Sequence, residues 1–154
     1  MREFLLMIHP TTGALAIFCA IWFMVEVLNA SERNRGRTRL AALSSMWLMI
    51  ATYITGGYWY VVYYAADKAV ILKGAWPFAH TFFMEAKEHA FFITLILSML
   101  LAVVARREDF ARNRSARVLA LWVAAMVILS AFAAEGAGSL VAMGVRMGLM
   151  QPGI

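Results

Sequence analysis

The sequence predicts an all-α protein, a bundle of four transmembrane helices in a single domain. Of its 154 residues, 63% are hydrophobic and 15% are charged, and the mean hydropathy is +0.72. A soluble domain is about half apolar and a quarter charged. Four apolar stretches approach the roughly 20 residues that a bilayer-spanning helix needs. This composition excludes a disordered chain, a disulfide scaffold and an ordinary soluble enzyme.

The four predicted spans cover residues 4–29, 40–64, 78–105 and 118–145. The first span contains His9, Pro10 and Glu26, and it is too long and continuous for a cleaved signal peptide. Pro77 is suited to the start of the third span because its missing N–H costs nothing in a first turn. We therefore expect one integral membrane domain that includes the whole chain.

Arginine-rich connections predict the orientation of these spans. An excess of Lys and Arg marks cytoplasmic loops, so both termini are expected on the outer side of a bacterial inner membrane. Aromatic residues at the end of the second span fit the opposite, outer interface. The connection after the first span contains Arg33, Arg35, Arg37 and Arg39, and the connection after the third contains Arg106, Arg107, Arg112, Arg114 and Arg117.

The two arginine-rich connections also resemble each other, which predicts a repeated helical hairpin. Residues 33–43 are similar to residues 112–121, and His9 and His89 precede their connections by 24 and 23 residues. Gly56 and Gly136 follow at 23 and 24 residues. Two hairpins related by an axis along the membrane normal would explain these offsets. Coincidence in a sequence rich in Arg and Ala is the alternative.

Ionisable residues in the spans are predicted to share one layer. With a rise of 1.5 Å per residue, His9, Glu85, Glu88, His89 and Glu135 lie about 24–30 Å from the arginine-rich end. Ionisable groups within spans are costly and usually face the bundle interior or a cavity. We therefore expect a polar site in the outer leaflet, with the ring of His89 pointing inward.

Two histidines at one depth suggest a b-type haem with His9 and His89 as axial ligands. Bis-imidazole ligation requires two helices that present His towards each other, and axial ligands and burial tune the potential. Gly13, Gly57 and Gly136 would provide room for the macrocycle. In the structural alternative, His9 caps a helix end, His89 bonds to Glu135, and the glycines only permit close packing.

The same layer of ionisable residues could also serve functions other than haem binding. His9, Glu85, Glu88, His89 and Glu135 could bind non-haem iron or another transition metal, or they could relay protons or bind a quinol headgroup. A structural accessory subunit of a larger membrane complex is a further alternative, because Gly144 and Gly148 have the spacing of close helix contacts. The net charge of +5 lies in the connections, so nucleic acid is not an expected partner.

The four-span architecture with His9 and His89 resembles the small four-helix b-haem membrane proteins, including cytochrome b561-like and copper-resistance D-like domains. The resemblance covers all four spans. It implies a membrane electron-transfer subunit that holds haem b between His9 and His89. Such a subunit would exchange electrons with quinol or with a redox partner in the membrane or periplasm. Glu85, Glu88 and Glu135 would orient the imidazoles or handle protons, as residues around metal ligands do.

Overall fold

A computed structural model describes residues 2–151 as an all-helical chain. The prediction of four helices without strands is confirmed for these residues, and each helix is long and apolar enough to cross a membrane. A 3-10 turn, Glu32–Asn34, precedes the second helix, and a π-helical turn, Ala79–Met84, leads into the third. The helices are α1 (Arg2–Leu28), α2 (Arg35–Lys73), α3 (Glu85–Arg107) and α4 (Arg114–Leu149).

Helix α2 extends nine residues beyond the predicted end of the second span. Between Gly57 and Gly74 the sequence contains neither Gly nor Pro, the residues that most readily break a helix. The helix ends where the Gly74 N–H reaches the carbonyls of Val70 and Ile71 at 3.0 and 3.1 Å. At 39 residues, α2 is about 58 Å long, which is much longer than a hydrocarbon core of about 30 Å.

The helices alternate in direction, so both arginine-rich connections lie at one end of the bundle and both described termini at the other. Helix α1 packs against α2 and α4, and α3 packs against the same two helices. Helices α1 and α3 therefore occupy opposite corners of the bundle. A hydrogen bond from Arg39 to the Arg106 carbonyl (3.0 Å) joins α2 to α3 at the arginine-rich end. An Arg2–Asp67 ion pair (2.7 Å) joins α1 to α2 at the opposite end.

Small side chains fill the centre of the bundle, and large apolar side chains cover its outside. Alanines from α1, α2 and α4 dominate the core near the arginine-rich end, where Phe23 packs edge-on against Phe110. Trp47, Trp122 and Leu129 are each more than 60% exposed. Because contiguous exposed apolar surface of this extent is rare in soluble monomers, the packing agrees with a bundle surrounded by lipid.

Glu26 is buried near the arginine-rich end and is fully engaged by neighbouring donors. Trp22 and Asn34 donate to its carboxylate at 3.1 and 2.8 Å, and Arg37 pairs with it at 3.0 Å. Arg35, two residues before Arg37, lies 3.6 Å from Asp109 instead. Glu26 therefore has a structural role, because its partners offset the cost of burying a charge.

Gly144 and Gly148 mediate contacts within the chain. A Cβ at Gly144 would lie 2.6 Å from the Cβ of Ala79, and one at Gly148 would lie 2.8 Å from the backbone oxygen of Val70. These glycines let α4 approach the π-helical turn and the end of α2 closely. Their spacing is therefore accounted for without a second subunit.

We expect Gly148→Leu to lower the free energy of unfolding by about 1–3 kcal/mol, the usual cost of overpacking. The backbone oxygen of Val70 cannot move away without disrupting the end of α2. Reversible unfolding in mixed micelles, followed by circular dichroism, measures the change. Gly136→Leu on the same helix is the control, since nothing lies within 4 Å of a Cβ there. Equal losses in the two variants would contradict the packing argument.

Candidate functional site

Three ionisable side chains from three helices meet inside the bundle, and we call them the polar cluster: His9 from α1, Lys87 from α3 and Glu135 from α4. Helix α2 contributes the backbone carbonyl of Thr52. His9 lies 19 residues from the end of α1 at Leu28, or about 28 Å along the helix. The cluster is thus close to the depth that the sequence predicts for its polar layer.

The hydrogen bonds of His9 define the tautomer of its ring. Its Nδ1 lies 2.9 Å from the Thr52 carbonyl oxygen, which can only accept, so Nδ1 carries the hydrogen. In the neutral ring Nε2 is then an acceptor, and the Lys87 Nζ lies 3.5 Å from it. The lysine ammonium therefore donates to a neutral imidazole.

Lys87 connects opposite corners of the bundle. Its side chain extends from α3 to His9 on α1, and its Nζ lies against Gly138 of α4, three residues from Glu135 in the same helix. No ion pair within 4.0 Å joins Lys87 to Glu135 in the described part of the chain. The cluster thus combines an amine, a carboxyl group and an imidazole, and its formal charge balances when Lys87 and Glu135 are both ionised.

Each ionisable side chain of the cluster occupies space that a glycine on a neighbouring helix leaves open. A Cβ at Gly56 of α2 would lie 2.5 Å from the His9 ring, and one at Gly138 of α4 would lie 2.8 Å from the Lys87 Nζ. A Cβ at Gly13 of α1 would overlap the Glu135 carboxylate. Real Cβ atoms essentially never come closer than 3.0 Å to such atoms. The three glycines therefore leave the room that the neighbouring side chains occupy, and a Cβ at any of them would require a shift.

Two threonines join α1 to α2 next to His9. The hydroxyl oxygens of Thr12 and Thr52 lie 2.9 Å apart, and each hydroxyl also contacts a carbonyl four residues earlier in its own helix. Thr52 is buried. This contact fixes the two helices next to the Thr52 carbonyl that orients the imidazole.

The structure does not bring His89 to the cluster. The residue is exposed, and its Nδ1 lies 2.7 Å from the Glu85 carbonyl of its own helix. The expectation that its ring points inward is wrong. Lys87 takes the inward position, and two residues of α-helix turn the chain by about 200°. The equivalence of His9 and His89 in the proposed repeat therefore does not extend to their surroundings.

The glycines predicted for the site are only partly those that the structure places there. Gly13 lies beside Glu135, but Gly57 and Gly136 are exposed, with nothing within 4 Å of a Cβ. Gly56 and Gly138 are the glycines that face the cluster. Helix periodicity is weak in spans that are apolar on all sides, so the sequence could not distinguish these neighbours.

Glu85 and Glu88 lie near a different polar group, formed by Tyr64 and His80. The Tyr64 hydroxyl is 3.0 Å from His80 Nδ1, and the half-exposed Glu85 carboxylate is 3.9 Å from His80 Nε2. One carboxylate oxygen of Glu88 is buried without a hydrogen-bond partner in the described residues. His80 is buried against the aromatic end of α2.

The residues present do not fit the predicted haem site. His89 lies outside the bundle, and the spaces beside Gly13, Gly56 and Gly138 are occupied by the cluster's own side chains. The predicted metal ligands are also dispersed, and within residues 2–151 no three His, Cys, Asp or Glu side chains converge on a metal position. The Lys87 Nζ lies 3.5 Å from His9 Nε2, so a cationic side chain already occupies the side of the imidazole where a metal ion would bind.

No protein-family model, curated protein or solved structure matches this chain. The resemblance to b-haem membrane proteins therefore stays a prediction.

The tautomer of His9 can be tested by ¹⁵N NMR of the imidazoles, assigned through His→Gln variants. We expect His9 to be neutral with its hydrogen on Nδ1. Lys87→Met should change the Nε2 shift of His9, because the donor to that nitrogen is removed, and should leave the exposed His89 ring unchanged. A hydrogen on Nε2 of a neutral His9 would contradict the assignment.

Proposed function

We propose that the protein crosses a bacterial inner membrane four times, with its arginine-rich connections in the cytoplasm and both termini outside. Nine arginines lie at one end of the bundle, and aromatic residues gather towards the other. This asymmetry supports the orientation. The outer ends of α2 and α4 would then project beyond the hydrocarbon core, where redox partners from the membrane or periplasm could dock.

We propose further that the polar cluster is a proton-exchange site in the outer leaflet. One observation carries this proposal: His9, Lys87 and Glu135 come from three helices, and each lies against a glycine that leaves room for it. A bundle needs no such groups for packing, and ionisable residues inside membranes are costly and typical of functional sites. Proton exchange uses all three, whereas a haem or metal site leaves Lys87 without a role.

The hydrogen bond between Lys87 and His9 suggests how a proton would move. Lys87 can transfer a proton from Nζ to the lone pair on Nε2 of His9, which leaves a neutral amine and an imidazolium. As a carboxylate, Glu135 stabilises the positive charge on either group. Once it has accepted a proton from the proton source, its carboxylic acid can pass that proton to the neutral amine of Lys87. A quinol oxidised in the outer leaflet is a suitable proton source, and its electrons would pass to a redox subunit of the same complex.

Infrared difference spectroscopy tests the proton-exchange site in lipid bilayers. A step from mildly acidic to mildly alkaline buffer should produce reversible carboxyl and imidazole bands that shift in D₂O. Glu135→Gln should remove the carboxyl component and His9→Gln the imidazole component. Glu3→Gln, a change at an exposed carboxylate, is the matched control. The proposal fails if neither Glu135 nor His9 exchanges a proton over this range.

The absorption spectrum of the same preparation tests the b-haem prediction independently. A Soret band with sharp reduced α and β bands, lost in both His9→Ala and His89→Ala, would restore haem as the cofactor. It would also require His89 to turn inward. A colourless protein with intact pH-dependent infrared bands would favour proton exchange.

A further inference from the structure

A cleft lies at the arginine-rich end, where the connection between α3 and α4 meets the first turns of α4. Its volume is about 400 Å³, and it is open to the surroundings. Three arginines line it together with apolar side chains, and no carboxylate is among the described residues that form it. The cleft is separate from the polar cluster, which lies near the other end of the bundle.

The lining of the cleft changes from charged to apolar along the helix. Arg114, Arg117, Val118 and Leu121 have the spacing i, i+3, i+4 and i+7, so they share one face of α4. Leu121 lies about 10 Å deeper along the helix than Arg114. A phospholipid has the same order, with a phosphate at the interface and acyl chains below it.

The arginines retain donors for an anion. Arg112 contacts Glu32, and Arg117 donates to the Leu28 carbonyl at the end of α1. Arg114 is exposed and makes no hydrogen bond or ion pair with the residues that the structure describes. A guanidinium has five N–H donors, so even the two engaged arginines have donors to spare. Bidentate donation makes Arg well suited to phosphate.

We propose that this cleft binds an anionic phospholipid, with its phosphate at Arg114 and Arg117 and an acyl chain along Val118 and Leu121. A basic groove beside apolar helix surface is a known type of lipid headgroup site. The proposal rests on the membrane-spanning part of the proposed function and not on the proton-exchange site. Variants of His9 or Glu135 should therefore leave lipid binding unchanged.

Native mass spectrometry of the detergent-purified full chain tests the cleft, with phosphatidylglycerol as the probe and phosphatidylcholine as the neutral comparison. Arg114→Gln should weaken phosphatidylglycerol binding about fivefold, the effect of one basic residue near an anionic surface. Arg33→Gln removes the same charge from an exposed position at the same end but outside the cleft. It should have much less effect.

Three outcomes would overturn the lipid site. Equal losses in Arg114→Gln and Arg33→Gln would indicate diffuse attraction to the whole arginine-rich end. Equal binding of the two lipids would mean that the charge of the headgroup is not recognised. Displacement of phosphatidylglycerol by inorganic phosphate would indicate a site for a free anion, with no contribution from Val118 and Leu121.

Discussion

Lys87→Met is expected to lower the free energy of unfolding by up to about 3 kcal/mol, because it leaves Glu135 in the bundle without its counter-charge. Methionine keeps the length and most of the volume of lysine, so the change is mainly the loss of the ammonium. His9 also loses the donor to its Nε2. Reversible unfolding in mixed micelles measures the effect.

The double variant Lys87→Met/Glu135→Gln separates charge from packing. If the two groups stabilise each other, the double variant should be more stable than the sum of the single changes predicts, with a coupling of about 0.5–3 kcal/mol. Arg112→Met, which breaks an exposed ion pair with Glu32, is the control and should have little effect. Strictly additive losses for Lys87 and Glu135 would mean that their charges do not interact.

Gly56→Val should destabilise the protein by about 1–3 kcal/mol relative to Gly57→Val. A Cβ at position 56 would lie 2.5 Å from the His9 ring, whereas a Cβ at position 57 meets nothing within 4 Å. The ring must therefore leave its hydrogen bond with the Thr52 carbonyl in the first variant only. Both variants introduce the same side chain into the same helix, so differences in helix propensity cancel.

The paired comparison has a spectroscopic readout as well as a stability readout. In Gly56→Val, the His9 imidazole should lose the ¹⁵N shifts of an Nδ1–H donor to a carbonyl. In Gly57→Val those shifts should match the unaltered protein. If Gly57→Val loses more stability than Gly56→Val, then Gly56 does not face His9, and the His9 ring has a different environment.

The number of helices and the depth of the polar groups could be predicted from the amino-acid sequence. Apolar length specifies a span, and a rise of 1.5 Å per residue places His9 and Glu135 at nearly one level. Pro and Gly also constrain helix ends. The predicted second span nevertheless stops short of Lys73, where α2 ends, because the outer part of α2 is less apolar than the rest. These properties depend on local composition and spacing, which a single sequence contains in full.

Which side chains at that level point inward could not be predicted from the sequence, because it depends on how the helices pack. Each residue turns an α-helix by about 100°, so Gly56 faces His9 while Gly57 does not, and Lys87 enters the bundle while His89 stays outside. In spans that are apolar all round, hydropathy gives little information on which face packs. The face that points inward depends on how closely alanines and glycines let the backbones of different helices approach. This is a property of the assembled bundle and not of any single helix.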